Sequence, residues 1–160
     1  MEEKVKIRPI KPEEKSDLIK LIIELAEFEK LKPPDIEAQT RLLKETFKLN
    51  PSIFVLVAIV KKKVVGYAIY FFTFSSFKGL KTLYLEDIFI SNEYRRYGIG
   101  KKIFKRLIKI ANLNKCGRME WCVLNWNKDA INFYNNLGAK PLKDWTYYRL
   151  NISPKKVYPL

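Results

Sequence analysis

Apolar and polar positions alternate at Val5-Lys6-Ile7-Arg8, the two-residue period of a half-buried strand, and Pro9 and Pro12 close it. The period then lengthens. Leu18, Leu21, Ile22, Leu25 and Phe28 fall on one helical stripe and predict a helix over residues 12–30, stopped before Pro33-Pro34. Asp35 is placed to cap a second helix carrying Ile36, Leu43 and Phe47. From residue 52 the pattern changes. Residues 53–60, 64–72 and 82–90 are dense in β-branched and aromatic side chains and read as strands, the first two joined tightly through Lys61-Lys62-Lys63. A helical stripe returns from residue 96 with Ile99, Ile103, Leu107, Ile110 and Ala111. Residues 119–124 read as a strand, 128–137 as a helix ended by Gly138, and 147–152 as a final strand. The order β-α-α-β-β-β-α-β-α-β is an α/β layout with a mixed sheet, and without repeats or a linker it is expected to form one domain over residues 1–160.

Composition narrows the chemistry. A chain of 160 residues, 48% of them hydrophobic, can bury a core without staples. The runs 53–60 and 64–72 are too short to cross a bilayer as helices, and Met1-Glu2-Glu3-Lys4, with no apolar stretch, is not expected to open a signal peptide. The expectation is a cytoplasmic protein with no membrane partner. Two cysteines, Cys116 and Cys122, make neither a disulfide framework nor a four-ligand metal site, so no metal is expected. Histidine is absent, which removes Ser-His-Asp and Cys-His nucleophiles and leaves acid–base work to Glu, Asp, Tyr, Lys or Cys.

The net charge of +14 is unevenly spread. Residues 1–80 carry 15 Lys/Arg against 11 Asp/Glu, but residues 81–160 carry 16 against 6. Residues 95–118 hold nine cations and no acid, a field that recruits an anion: nucleic acid, an acidic membrane or a phosphate-bearing cosubstrate.

Within that run stands Arg95-Arg96-Tyr97-Gly98-Ile99-Gly100-Lys101, between a predicted strand and a long amphipathic helix. A helix start offers amides without internal partners, and two glycines let an anion approach the backbone, which suits a pyrophosphate. The loop is not a Walker A motif, since Lys102 stands where Ser or Thr is needed. Nor is it a dinucleotide fingerprint, whose third glycine position is Ile103.

Arg95-x-x-Gly98-x-Gly100 after a strand resembles the pyrophosphate loop of the GNAT acetyltransferase superfamily. Downstream, Asn127-x-x-Ala130-Ile131-x-Phe133-Tyr134-x-x-Leu137-Gly138-Ala139 resembles that superfamily's second signature. Leu83-Tyr84-Leu85-Glu86-Asp87 and Trp126-Asn127 followed by Ile131-Asn132-Phe133-Tyr134 are similar to the spermidine/spermine (diamine) acetyltransferase branch. The likeness spans essentially the whole chain. Departures include Leu137 in place of a basic residue, and Arg96 and Lys102 in place of small ones.

The resemblance implies an acetyl-coenzyme A-dependent N-acetyltransferase acting on a primary amine, a polyamine, diamine or related small amine. A protein N-terminus or lysine is the alternative acceptor, and a basic nucleic-acid-binding module is the alternative of another class. A homodimer is implied as well. Backbone groups of Ile88, Phe89 and Ile90 would pair with the pantetheine arm. Arg95, Arg96, Tyr97, Gly98, Ile99, Gly100 and Lys101 would hold the pyrophosphate, and Asn127, Lys128, Asp129 and Ala130 would complete the cosubstrate site. Tyr134 matches the tyrosine that serves as general acid for the leaving thiolate. Glu86 matches the acid that binds the cationic amine and deprotonates it through water. Phe28 and Glu29 match the amine-contacting end of the first helix, Glu120, Trp121 and Cys122 the strand lining the acceptor site, and Asp144 another acidic contact.

Strand alternation puts Tyr84, Glu86, Ile88 and Ile90 on one face and Leu83, Leu85, Asp87 and Phe89 on the other, one carboxylate to each side. The expectation for Asp87 is a structural salt bridge. Cys122, with no histidine to activate it, is expected to be a small buried thiol.

Overall fold

The structure, a computed structural model, describes residues 5–152. The chain divides into two compact units, Met1–Cys122 and Val123–Leu160.

The first unit holds strands β1 (Lys6–Pro9), β2 (Phe54–Val60), β3 (Lys63–Ser75), β4 (Leu80–Ile90) and β5 (Arg118–Trp121) in one sheet of that spatial order. All neighbours are antiparallel except β4 and β5, which are parallel because a helix, α3 (Ile99–Leu113), crosses between them. Before the sheet's central strands lie α1 (Lys15–Glu29) and α2 (Ile36–Phe47). Asp35 caps α2, accepting from the Ala38 amide at 2.8 Å. α1 ends on Lys30 in the left-handed conformation, with Pro33-Pro34 beyond it.

Each face of the sheet has its own apolar filling. Leu18 and Leu21 of α1 pack on Val55, Val57, Val64, Tyr67, Ile69 and Phe89, all buried. α3 buries Ile99, Ile103, Phe104, Leu107 and Ala111, the stripe read from the sequence. Its start differs from the expected residue 96. Arg96 (φ 69°) and Gly98 (φ 73°) are both left-handed, so the helix opens only at Ile99.

Gly66 is a glycine for want of room. A Cβ there would meet the Phe89 carbonyl oxygen at 2.7 Å and Ile90 Cγ1 at 3.1 Å, across the β3–β4 ladder. Gly66→Ala is expected to destabilise the fold by about 1–3 kcal/mol through overpacking. A lower urea midpoint measures it; an unchanged midpoint would mean the strands part without cost.

The second unit contains α4 (Lys128–Asn136), with Gly138 (φ 85°) just past its end. The final strand expected over residues 147–152 does not form: these residues are exposed and carry no ladder. Alternation and aromatic content there supply propensity only. A strand exists through a partner's hydrogen bonds, and the described residues of this unit offer a helix and loops. The other elements match the α/β, mixed-sheet order.

Candidate functional site

The β3–β4 ladder is interrupted once. Ile69 faces Asp87 and Tyr70 faces Leu85, which leaves Glu86 as the extra residue of a bulge. The bulge resets the alternation. Tyr67, Ile69 and Phe71, every second residue of β3, face Phe89, Asp87 and Tyr84, so these six share one face. It is the face under α1, where Tyr67, Ile69 and Phe89 pack on Leu18 and Leu21. The expected division, Tyr84 with Glu86 and Asp87 with Leu85, is thereby overturned. One inserted residue moved Asp87 to the Tyr84 side.

Continuing along that face, Tyr84 and Phe71 hold their rings 5.1 Å apart, and Glu120 of β5 stands opposite Tyr84. Cys122, just past β5, lies with Sγ 3.4 Å from the Tyr84 hydroxyl. It is exposed, not the buried thiol expected, because the strand that would have enclosed it stops at Trp121. Trp121 itself points the other way, its ring 5.4 Å from Phe104 of α3. The structure thus sets Glu120 and Cys122 beside Tyr84 and sets Trp121 apart from them.

The carboxylates differ sharply. Glu86, at the bulge, is exposed. Asp87 is partly buried, and no ion pair or hydrogen bond among the described residues supports its charge. Burial first, then the neighbouring Glu86 and Glu29, raise its pKa to about 6. The salt bridge expected for Asp87 is therefore absent. The bulge turned the side chain toward other acids, not toward a cation. Glu29, at the end of α1, is also pushed up, by burial. Glu120 is the paired member, held by Arg118 Nε at 3.0 Å. Phe28 lies next to Phe89, ring centroids 6.4 Å apart, and the Arg95 guanidinium sits over both rings at 4.6 and 5.2 Å.

A second feature of this unit is an open edge. β5 pairs with β4 only from Thr82 to Leu85, and on that side, opposite β3, no strand among the described residues continues along residues 86–90. Ile88, Phe89 and Ile90 lie on that stretch, and the Ile90 carbonyl accepts from Arg95 Nε at 2.9 Å. An edge of this kind can take up an extended, amide-bearing molecule by main-chain hydrogen bonds.

The loop after β4 supplies a third. Arg96 and Gly98 in left-handed conformation flank Tyr97, and Gly98 precedes the first residue of α3 with no side-chain cap. Alternating conformations of this kind turn successive amides into one concavity, and a helix start adds its positive end. Apart from Gly98 and its two chain neighbours, no heavy atom of the described residues lies within 4 Å of where a Gly98 Cβ would stand, so the loop is open on that side. Arg96, Lys101 and Lys102 surround it with positive charge, all exposed. These residues fit a diphosphate.

In the second unit Asn127 caps α4, its Oδ1 accepting from the Ala130 amide at 3.1 Å. Lys128 and Asp129 open the helix. Tyr134 is half-buried on it, its ring 5.6 Å from that of Phe133. Asp144 is exposed in the loop that follows.

Tyr84, beside Cys122 and Phe71, is an aromatic in an apolar strand that nothing in the sequence separates from packing residues.

Residues 19–139 match the Acetyltransferase (GNAT) family. Thialysine N-epsilon-acetyltransferase of Mus musculus is 36% identical over 155 residues, covering 90% of this chain and 91% of the relative. Spermidine/spermine N(1)-acetyltransferase-like protein 1 of Homo sapiens is 36% identical over 145 residues, 84% of this chain but 21% of that protein. Among solved structures, an integron cassette protein from the mobile metagenome of V. cholerae superposes with a TM-score of 0.77 at 28% identity, over 92% of each chain.

Proposed function

The chain belongs to the acetyltransferase (GNAT) family, and on that premise we propose that it moves the acetyl group of acetyl-coenzyme A onto a primary amine of a small cationic acceptor. The observation that carries the choice of acceptor is the acidity gathered on two neighbouring strands. Residues 81–160 have only 6 acids against 16 cations, yet Glu86, Asp87 and Glu120 stand on β4 and β5, with Glu29 close enough to act on Asp87. A chain of net charge +14 repels amines at long range, so the pocket must be acidic to hold one. Relatives named for thialysine and for spermidine/spermine support the same class.

In this reading the pantetheine arm pairs with the open backbone of Ile88, Phe89 and Ile90. The amides from Arg95 to Lys101 take the pyrophosphate, and Asn127, Lys128, Asp129 and Ala130 complete the cosubstrate site. Most of the basic run of residues 95–118 lies on the same loop and helix, which gives its charge a phosphate-bearing ligand. The amine attacks the acetyl carbonyl directly. Its nitrogen forms the new C–N bond, the C–S bond breaks, and the leaving thiolate takes a proton from Tyr134. The amine's own proton passes to Glu86 through water. Glu86 is exposed, at the bulge, where water reaches it. Cys122 needs no acetylated intermediate in this scheme. Phe28, Glu29, Glu120, Cys122 and Asp144 are assigned to acceptor binding, and Trp121 to the packing that supports β5. By the branch resemblance we also take the protein to be a cytoplasmic homodimer, with both units belonging to one acetyltransferase domain.

Thiol release from acetyl-coenzyme A, scanned across spermidine, putrescine, thialysine, lysine and an N-terminal peptide, tests the reading. Turnover with the small amines supports it, and turnover with the peptide alone moves the acceptor to protein. Glu86→Gln is expected to lower kcat/KM by about 10- to 100-fold near neutral pH and by less at pH values approaching the amine pKa, where the acceptor is already neutral. A variant with the unaltered pH profile would remove Glu86 as the proton acceptor.

A further inference from the structure

α3 carries more positive charge than the chemistry above can use. Its inner face is the buried stripe of Ile99, Ile103 and Leu107, and the opposite face presents Lys101, Lys102, Lys105 and Lys109, all exposed. Lys101, Lys105 and Lys109 follow one another at i, i+4 spacing, where like charges repel and weaken a helix. No acid relieves them within Ile99–Leu113, and no ion pair printed among the described residues holds these lysines. The other described α-helices mix their signs, as in the Arg41–Glu37 pair of α2 at 3.4 Å. The excess is therefore particular to α3 and does not follow from a lysine-rich composition. A diphosphate seated at the helix start reaches the first turn. At about 1.5 Å per residue, Lys105 and Lys109 lie about 10 and about 16 Å past Gly98, roughly two and three turns away.

The far end of the helix continues the pattern. Past Leu113 the chain turns through Lys115 into β5, and the Gly117 amide donates to the Lys81 carbonyl at 2.8 Å. The β3–β4 hairpin lies against this turn: Leu80 Cδ1 and Lys78 Cδ come within 3.0 and 3.2 Å of where a Gly117 Cβ would stand. Exposed Lys78, Lys81 and Lys115 thus gather where α3 ends. Apolar surface stands among them. Phe77, next to Lys78, is fully exposed, Phe74 and Leu80 are exposed, and Lys81 Nζ sits 5.5 Å from the centre of the Phe72 ring. Cations that follow a phosphate backbone, with bare rings on which bases stack, are the makings of a surface for single strands.

We propose that the solvent face of α3 and the tip of the β3–β4 hairpin form a docking surface for single-stranded nucleic acid, with Lys105 and Lys109 on its phosphates and Phe77 under a base. Charge complementarity selects this partner. A strand with a phosphate at every nucleotide matches a line of cations that runs about 18 Å along α3 and on past its end. The exposed polar side chains of that helix face are lysines and Asn112, which suit phosphates more than base edges, so binding is expected to depend little on base sequence. On the small-amine reading given above the surface also has a use. A nucleic acid gathers small cations as counterions, so a docked enzyme meets a cationic acceptor at raised concentration. The surface itself stands on the charge and the exposed rings, whichever acceptor is used.

The test is fluorescence anisotropy of a labelled oligouridylate of about 12 nucleotides with the whole chain, from about 50 to about 200 mM salt. Affinity should fall steeply as salt rises. Lys105→Gln combined with Lys109→Gln should lower it about tenfold and flatten the slope of log affinity against log salt by about 1.4, since each phosphate contact on a single strand contributes about 0.7. Phe77→Ala should lower affinity at least about fivefold with the slope unchanged. Thermal melting confirms that the variants fold, and thiol release with small amines should stay at the wild-type rate in both. Coenzyme A at saturation should leave the strand bound. Its displacement would put the strand in the cosubstrate loop and overturn the surface. Unchanged binding in either variant overturns it too, as does tighter binding to a duplex of the same length, or binding to phosphatidylserine vesicles with none to the strand. Binding is read without turnover, so an enzyme that acetylates no amine fails in the thiol assay alone, and a strand left unbound fails here alone.

Discussion

Tyr134→Phe is expected to lower kcat by about 10²-fold or more while leaving the affinity for acetyl-coenzyme A nearly unchanged. General acid catalysis typically contributes about 10²–10⁴-fold, so even its lower limit is about 2.7 kcal/mol of barrier. The substitution removes one oxygen from a half-buried ring whose contact with Phe133 does not depend on it. Folding should survive. In the absence of histidine few side chains can deliver a proton to a thiolate, and the match of Tyr134 to the second family signature singles it out. The measurement is steady-state thiol release paired with calorimetric titration of acetyl-coenzyme A. Unchanged turnover would remove Tyr134 as the acid, and a parallel loss of cosubstrate binding would make it a binding residue.

Asp87→Asn is expected to stabilise the fold at neutral and alkaline pH, by about 3 kcal/mol as an order of magnitude. The sign follows from the direction of the shift. The Asp87 carboxyl titrates at about 6 in the folded chain and near the ordinary aspartate value when unfolded. Between these limits the folded state holds the extra proton, so stability falls as pH rises from about 4 to about 6 and levels off above. Asparagine carries no charge to bury, so the gain should be full above that window and absent below it. Urea unfolding at pH 4 and pH 8 measures both ends. Equal effects at the two pH values would show that Asp87 carries no uncompensated charge.

Most of the elements were legible in the chain because their causes are local. The stripe of Ile99, Ile103 and Leu107 is a helix face whatever packs on it, Asp35 and Asn127 cap the helices that follow them, and Gly98 permits the left-handed turn before α3. Motif spacing carried the family in the same way, since the two signatures lie at fixed places along the sequence. What escaped was decided between strands. The bulge at Glu86 is a two-against-one count, visible only when β3 is laid beside β4, and it overturned the faces assigned to Tyr84 and Asp87. The same dependence on a partner explains the strand that did not form at 147–152 and the exposure of Cys122, where β5 stops short. By itself, then, the sequence determined the order of elements up to α4, the glycine loop proposed for phosphate and the residue types able to do the chemistry, because periodicity, capping and backbone permissiveness are properties of neighbours in the chain. Only tertiary structure decided which carboxylate faces water and which is buried without a cation, because register and desolvation come from residues far apart in sequence.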